Sequence, residues 1–172
     1  GRAVARRAAG FAMEVLYTDA GEPDDAVSID GLIIARGVPL ETLLQRSDFV
    51  SLHVPLNEQT HHLMDAARLA QMKPSAYLVN TSRGPVVDEA ALVAHLQAGG
   101  SAGAALEVFE RGPAMAPGLA GLDTVVLLPH LGSATEETRR AMAHTAAANA
   151  HAVLSGDDPP NWVNRAALSE RG

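Results

Sequence analysis

Residues able to do chemistry recur in this chain directly after short apolar runs. They are Thr18-Asp19, His53-Val54-Pro55, Thr81-Ser82-Arg83-Gly84, Glu107 through Glu110, and Pro129-His130-Leu131-Gly132-Ser133. Between them they offer imidazoles that titrate near neutrality, a guanidinium whose planar fork suits a carboxylate, and acids and hydroxyls as hydrogen-bond partners. In open α/β sheets, ligands bind in the crevice at the carboxyl ends of the strands. Five strand ends can therefore converge on one site. Asp19 follows Gly1 by 18 residues. A glycine at a helix start with an acid ending the next strand forms the last part of a dinucleotide fingerprint, with an expected separation of about 20 residues. Its third glycine permits close helix–strand packing, and its acid accepts from the adenosine ribose. The first two glycines do not occur in this chain.

Other chemistries find less support. His61, His62, His95, His144 and His151 have no carboxylate or cysteine at ligand spacing, so they read as solvated helix or loop residues and no metal is expected. A hydrolase using Ser82 and His130 is disfavoured because NTSRG lacks the G-x-S-x-G nucleophile elbow.

The elements that must position these clusters alternate along the chain. Helices are expected over Arg2–Ala9, from Pro39 through Gln45, over Ala66–Met72, and from an Asp88 cap to Gly99-Gly100. A capping box, Ser133-Ala-Thr-Glu136, opens a long helix to about Leu154. Strands are expected over Glu14–Tyr17, Phe49–Val54, Ala76–Asn80, Ala104–Phe109 and Val125–Leu128, with a polar loop over Gly21–Gly31. Near-continuously apolar strands between helices indicate a doubly wound α/β fold, with a parallel sheet covered on both faces.

Composition narrows the class further. The 172 residues hold no cysteine, which removes disulfides, thiolate metal sites and cysteine nucleophiles. A net charge of −7 without a basic run argues against nucleic acid as a partner. There is no apolar stretch of the ~20 residues a membrane span needs and no signal peptide, so the expected location is cytoplasmic.

Three segments, SDFVSLHVPLNEQTHHLM, MKPSAYLVNTSRGPVVDEAALVAHLQAG and VVLLPHLGSATEETRRAM, closely resemble the NAD-dependent D-2-hydroxyacid dehydrogenases. The likeness is closest to the glyoxylate/hydroxypyruvate reductase and D-glycerate dehydrogenase branch, whose tail the stretch DDPPNWVN at Asp157–Asn164 also resembles. The resemblance implies a Rossmann-type NAD-binding domain over residues 1–134, without its first strand. Residues 135–172 would be a helix and tail returning to a substrate-binding domain. Gly1 would be the fingerprint's third glycine, so the chain reads as a C-terminal fragment, with a homodimer expected at full length.

The resemblance also assigns roles. Hydride from a nicotinamide reduces a 2-oxo acid to a D-2-hydroxy acid. The arginine of N-x-[AS]-R-G, here Arg83, binds the carboxylate and polarises the carbonyl, and the histidine of P-H-[IL]-G, here His130, donates the proton. Cofactor contacts fall at Gly1, Asp19, Val54, Pro55, Thr81, Ser82, Arg83, Glu107, His130 and Gly132. A carboxylate at Asp19 favours NAD over NADP, because it binds the free 2′-hydroxyl and repels a 2′-phosphate. The family motif D-V-F-x-x-E-P reads Glu107-Val-Phe-Glu-Arg-Gly-Pro113 here. The glutamate that keeps the histidine charged is thus replaced by Gly112, with Glu110 two residues away, and the motif's first acid is the longer Glu107. Gly112 favours an alternative, a non-catalytic NAD-binding interaction module of the same fold.

Overall fold

The computed structural model describes residues 1–20, 26–29 and 32–164. The chain divides into two compact units, Gly1–Pro129 and His130–Gly172. In the first unit, α1 (Arg2–Ala9) precedes a small sheet. There β1 (Leu16–Tyr17) runs parallel to β3 (Leu32–Gly37), and β2 (Ala26–Ile29) runs antiparallel to β3 with a bulge between Val27 and Ser28. Part of the expected 21–31 loop is therefore a strand, and β3 forms where the sequence reading assigns no element. Acids, proline and glycine nearby suggested a loop, but pairing with a distant segment supplies ladder hydrogen bonds that composition cannot reveal. Positions 21–25 and 30–31 lie outside the described residues.

The larger sheet has the order β4 (Phe49–Leu52), β5 (Tyr77–Asn80), β6 (Gly103–Leu106), β7 (Val125–Leu127), every pair parallel. Parallel neighbours need crossovers. Here α3 (Ala66–Leu69) lies between β4 and β5 in sequence, and α4 (Glu89–Gln97) between β5 and β6. Asp88 caps α4 as expected, accepting from Ala91 N at 2.9 Å. Gly99, at φ +71°, takes the left-handed turn just past its end.

One core joins these elements: Leu44 of α2 (Leu40–Arg46), Leu69 of α3, Leu92 and Leu96 of α4, and Val50, Leu52, Leu78, Ala104 and Leu106 of the sheet. The other face of the sheet differs from expectation. Phe49, Tyr77 and Val126 are exposed, and the Phe49 and Tyr77 rings stack at 5.7 Å. An apolar residue on either face reads alike in sequence, so strand hydropathy cannot tell which face a helix covers.

In the second unit, α5 (Glu136–Leu154) has no buried residue. Its cap is Thr135, whose hydroxyl accepts from Thr138 N at 3.2 Å, so the expected capping box from Ser133 does not form. Asn161 N donates to Asn149 Oδ1 at 3.0 Å, tying the tail to the helix, and Trp162 Nε1 donates to Asn164 Oδ1 at 3.1 Å.

Candidate active site

Parallel pairing brings the ends of β4 and β5 side by side, since Leu52 stands opposite Asn80. Residues just beyond them, His53, Val54, Pro55 and Leu56 from β4 and Thr81, Ser82 and Arg83 from β5, line an open cleft of about 640 Å³ with Gly1. Six of the expected cofactor residues thus meet at one surface: Gly1, Val54, Pro55, Thr81, Ser82 and Arg83. His53 and Leu56 join them.

Asn80 fixes the loop that carries Arg83. It occupies the last position of β5 and is 1% exposed. Its Oδ1 accepts from Ser82 N at 3.0 Å and Ser82 Oγ at 2.8 Å, and its Nδ2 donates to Arg83 O at 3.0 Å. A buried amide so satisfied holds the turn in one conformation. Arg83 stays exposed, with Nη1 donating to Ser82 O at 2.7 Å. Ser82 is buried and its hydroxyl is committed to an amide oxygen, which is not the environment of an activated nucleophile. Asn80 lies inside NTSRG, where the resemblance assigns it no part. A polar residue closing an apolar strand was the available signal.

The loop after β6 packs directly on this turn. A Cβ on Gly84 would collide with the Phe109 carbonyl, so only glycine lets the two backbones approach so closely. Glu107, half-buried at the end of β6, donates its N–H to Asn80 O at 3.1 Å. Gly112 is exposed, and a Cβ there would meet Phe109 O at 3.5 Å, an ordinary contact. The backbone therefore has room for a side chain at 112. Glu110 is engaged elsewhere: His62 Nε2 donates to its Oε1 at 2.9 Å, and Glu89 N donates to its Oε2 at 3.3 Å.

The remaining expected residues are not among those lining the cleft. Asp19 is exposed just past β1, its Oδ1 accepting from Ala20 N at 2.8 Å. His130 and Gly132 belong to the second unit, where both are exposed. His130 has φ +54°, a left-handed backbone that non-glycine residues seldom adopt and that tends to mark functional positions. A Cβ on Gly1 would meet only the His53 side chain, at 3.6 Å, so packing inside these residues does not itself demand glycine.

Two histidines depart from the solvated reading. His62 is half-buried against Glu110. His95 is packed at the end of α4 with Nε2 unpartnered, and burial lowers its pKa from the ordinary value near 6.5. His53 is lowered too, chiefly by desolvation, and its Nε2 is 2.9 Å from Ser51 Oγ. Among the described residues, no three His, Asp or Glu side chains stand close enough to hold a metal ion. A depression along α5, lined by Glu136, Glu137, Arg140, Ala141 and His144, contains no expected site residue and is crossed by the Arg140–Glu136 pair.

The cleft suits a dinucleotide in two respects. Helix α1 begins at it with no side-chain cap and no acid in its first turn, which leaves a helix N-terminus available to an anion. Its lining also mixes apolar Val54, Pro55 and Leu56 with polar Thr81 and Arg83, as a ring-bearing anionic ligand requires.

Residues 1–132 match the family model described as D-isomer specific 2-hydroxyacid dehydrogenase, NAD binding domain. The chain is 47% identical to the glyoxylate reductase of Thermococcus litoralis over 98% of its own length and 50% of that protein's. It superposes on the TT0316 protein of Thermus thermophilus with a TM-score of 0.85 at 42% identity, covering 95% of this chain and 50% of that one. It also matches the NADPH-dependent glyoxylate/hydroxypyruvate reductase of Sinorhizobium meliloti, with a TM-score of 0.80 at 34% identity, over 90% of this chain and 47% of that one. The chain spans about half the length of the relatives it matches.

Proposed function

Since the chain belongs to the D-isomer specific 2-hydroxyacid dehydrogenase family, through its NAD-binding domain, we propose that the whole protein reduces a small 2-oxo acid to its D-2-hydroxy acid. Glyoxylate and hydroxypyruvate are the proposed substrates and NADH the proposed reductant. The observation that carries this reading is Arg83, presented in the cleft lining by a buried Asn80 whose amide bonds both Ser82 and Arg83. Immobilising a loop for an exposed guanidinium makes sense if that cation must meet a carboxylate in fixed geometry.

A bound nicotinamide supplies the hydride. Gly1, the start of α1, Val54, Pro55, Thr81 and Ser82 would hold the cofactor, with Asp19 on its ribose, Glu107 on its carboxamide, and His130 and Gly132 following β7. Arg83 binds the substrate carboxylate and draws charge toward the carbonyl oxygen. His130 gives that oxygen its proton through the imidazole N–H and is reprotonated from solvent. With Gly112 in place of an acid, His130 works without the family's carboxylate partner, and Glu110, already bonded to His62 and Glu89, does not replace it. The relatives' printed names are those of reductases and dehydrogenases, which lends no support to a non-catalytic module.

The full-length protein is expected to consume NADH when given glyoxylate or hydroxypyruvate. Arg83→Gln should lower kcat/KM by roughly 10²–10³, the effect of removing a donor that stabilises developing charge. Absence of NADH oxidation with either acid sinks the proposal. The preference for NAD rests on Asp19, although the Sinorhizobium relative is named as NADPH-dependent. Asp19→Ala should narrow the ratio of kcat/KM for NADH over NADPH by about tenfold, and an unchanged ratio would remove the ribose assignment.

A further inference from the structure

Glu89, the first residue of α4, is 2% exposed. Its carboxylate reaches across to the loop after β6, accepting from Glu110 N at 2.6 Å and from Ala116 N at 2.9 Å. Glu110 returns the contact, accepting from Glu89 N at 3.3 Å and from His62 Nε2 at 2.9 Å. His62 closes the circuit, since its own N–H donates to Pro85 O at 2.8 Å, two residues beyond Arg83. Its backbone is held at φ +50°, and Asp88 Oδ2 lies 3.9 Å from its Nδ1, with the His61 ring stacked at 4.1 Å. A left-handed non-glycine residue is strained and persists only where its surroundings over-determine it. Gly84 stands between, its backbone against Phe109 and Glu110.

We infer that His62, Glu110 and Glu89 form a clamp of positioning residues for substrate binding. None of the three lines the cleft. The clamp fixes the Arg83–Pro85 turn to the Phe109–Ala116 loop, so that the guanidinium and Glu107 keep one separation when a substrate carboxylate arrives. The inference rests on the proposed role of Arg83 as the carboxylate-binding cation. It also gives Glu110 a part distinct from the acid absent at 112: its carboxylate is a structural tie.

The clamp predicts a selective defect. Ribose and pyrophosphate contacts are placed by other elements, whereas carboxylate binding depends on the turn it holds. The test uses the full-length protein and oxamate, an unreactive isostere of a small 2-oxo acid, with binding followed by calorimetry in the presence of NADH. His62 is half-buried, so its variants are compared at temperatures where thermal unfolding shows them folded. His62→Leu should weaken oxamate binding, and raise KM for glyoxylate, by about tenfold, while the Kd for NADH changes less than about twofold. His62→Gln, which keeps an N–H donor toward Glu110, should recover most of the loss, and Glu110→Ala should reproduce it. Unchanged oxamate affinity in His62→Leu and Glu110→Ala overturns the clamp. So does parallel weakening of NADH and oxamate, which is what general loosening produces. A wild-type protein that binds oxamate but does not oxidise NADH with glyoxylate refutes the reaction and still scores the clamp. One that binds no oxamate overturns both.

Discussion

At the scale of single residues, Arg83 and position 112 pull in different directions. Arg83 is supported by a buried amide that has no other evident use than to shape its turn. Under the proposed reaction Gly112 stands where a carboxylate would stabilise a charged His130, and it leaves room for one, since a Cβ there meets nothing closer than 3.5 Å. An introduced acid is therefore compatible with the backbone. Gly112→Glu is expected to raise turnover with glyoxylate at neutral pH by up to about tenfold, the gain from giving the proposed proton donor a carboxylate partner. Steady-state rates measured across pH would show the gain as a shifted limb, and identical profiles would mean that His130 needs no acid. The motif NTSRG was legible in the sequence. The occupation of Glu110 was not, because its partners lie 48 and 21 residues away.

At the scale of elements, local signals succeeded where the cause of an element is local. Asp88 caps α4, and α1 spans Arg2–Ala9 as its composition predicts. They failed where two candidates compete within one turn. Ser133 and Thr135 both offer a hydroxyl before α5, and only the backbone conformation, extended at Thr135 with φ −73° and ψ 147°, selects between them. Thr135→Ala should therefore destabilise the first turn of α5 by about 1 kcal/mol, whereas Ser133→Ala should change it little. Amide hydrogen exchange at Glu137 and Thr138 distinguishes the two, and equal protection in both variants would remove Thr135 from the cap. The β2–β3 pair is the complementary failure: a strand with a distant partner leaves little trace in its own composition.

At the scale of the whole molecule, a partly buried histidine makes stability depend on pH. Burial lowers His95. Unfolded, His95 takes up a proton at about the ordinary value of 6.5, where the folded chain does not. Its contribution is fully present above that value and is lost as pH falls through the lowered folded value. The urea midpoint should decline as pH drops below about 6.5, and His95→Gln should flatten the decline; a slope unaltered by that change would remove His95 as its source. The sequence by itself determined the alternation of strands and helices, the cap of α4, and the motifs at the strand ends, because each is written in adjacent residues. It also carried the family, since long motifs retain chemistry in order. Tertiary structure alone decided which strand-end loops share a cleft, which face of the sheet is covered, and that Glu110 is tied to His62 and Glu89. The reason is physical: parallel register and close backbone contact, such as Gly84 against Phe109, are set by segments far apart in the chain, and no local pattern encodes the distance between them.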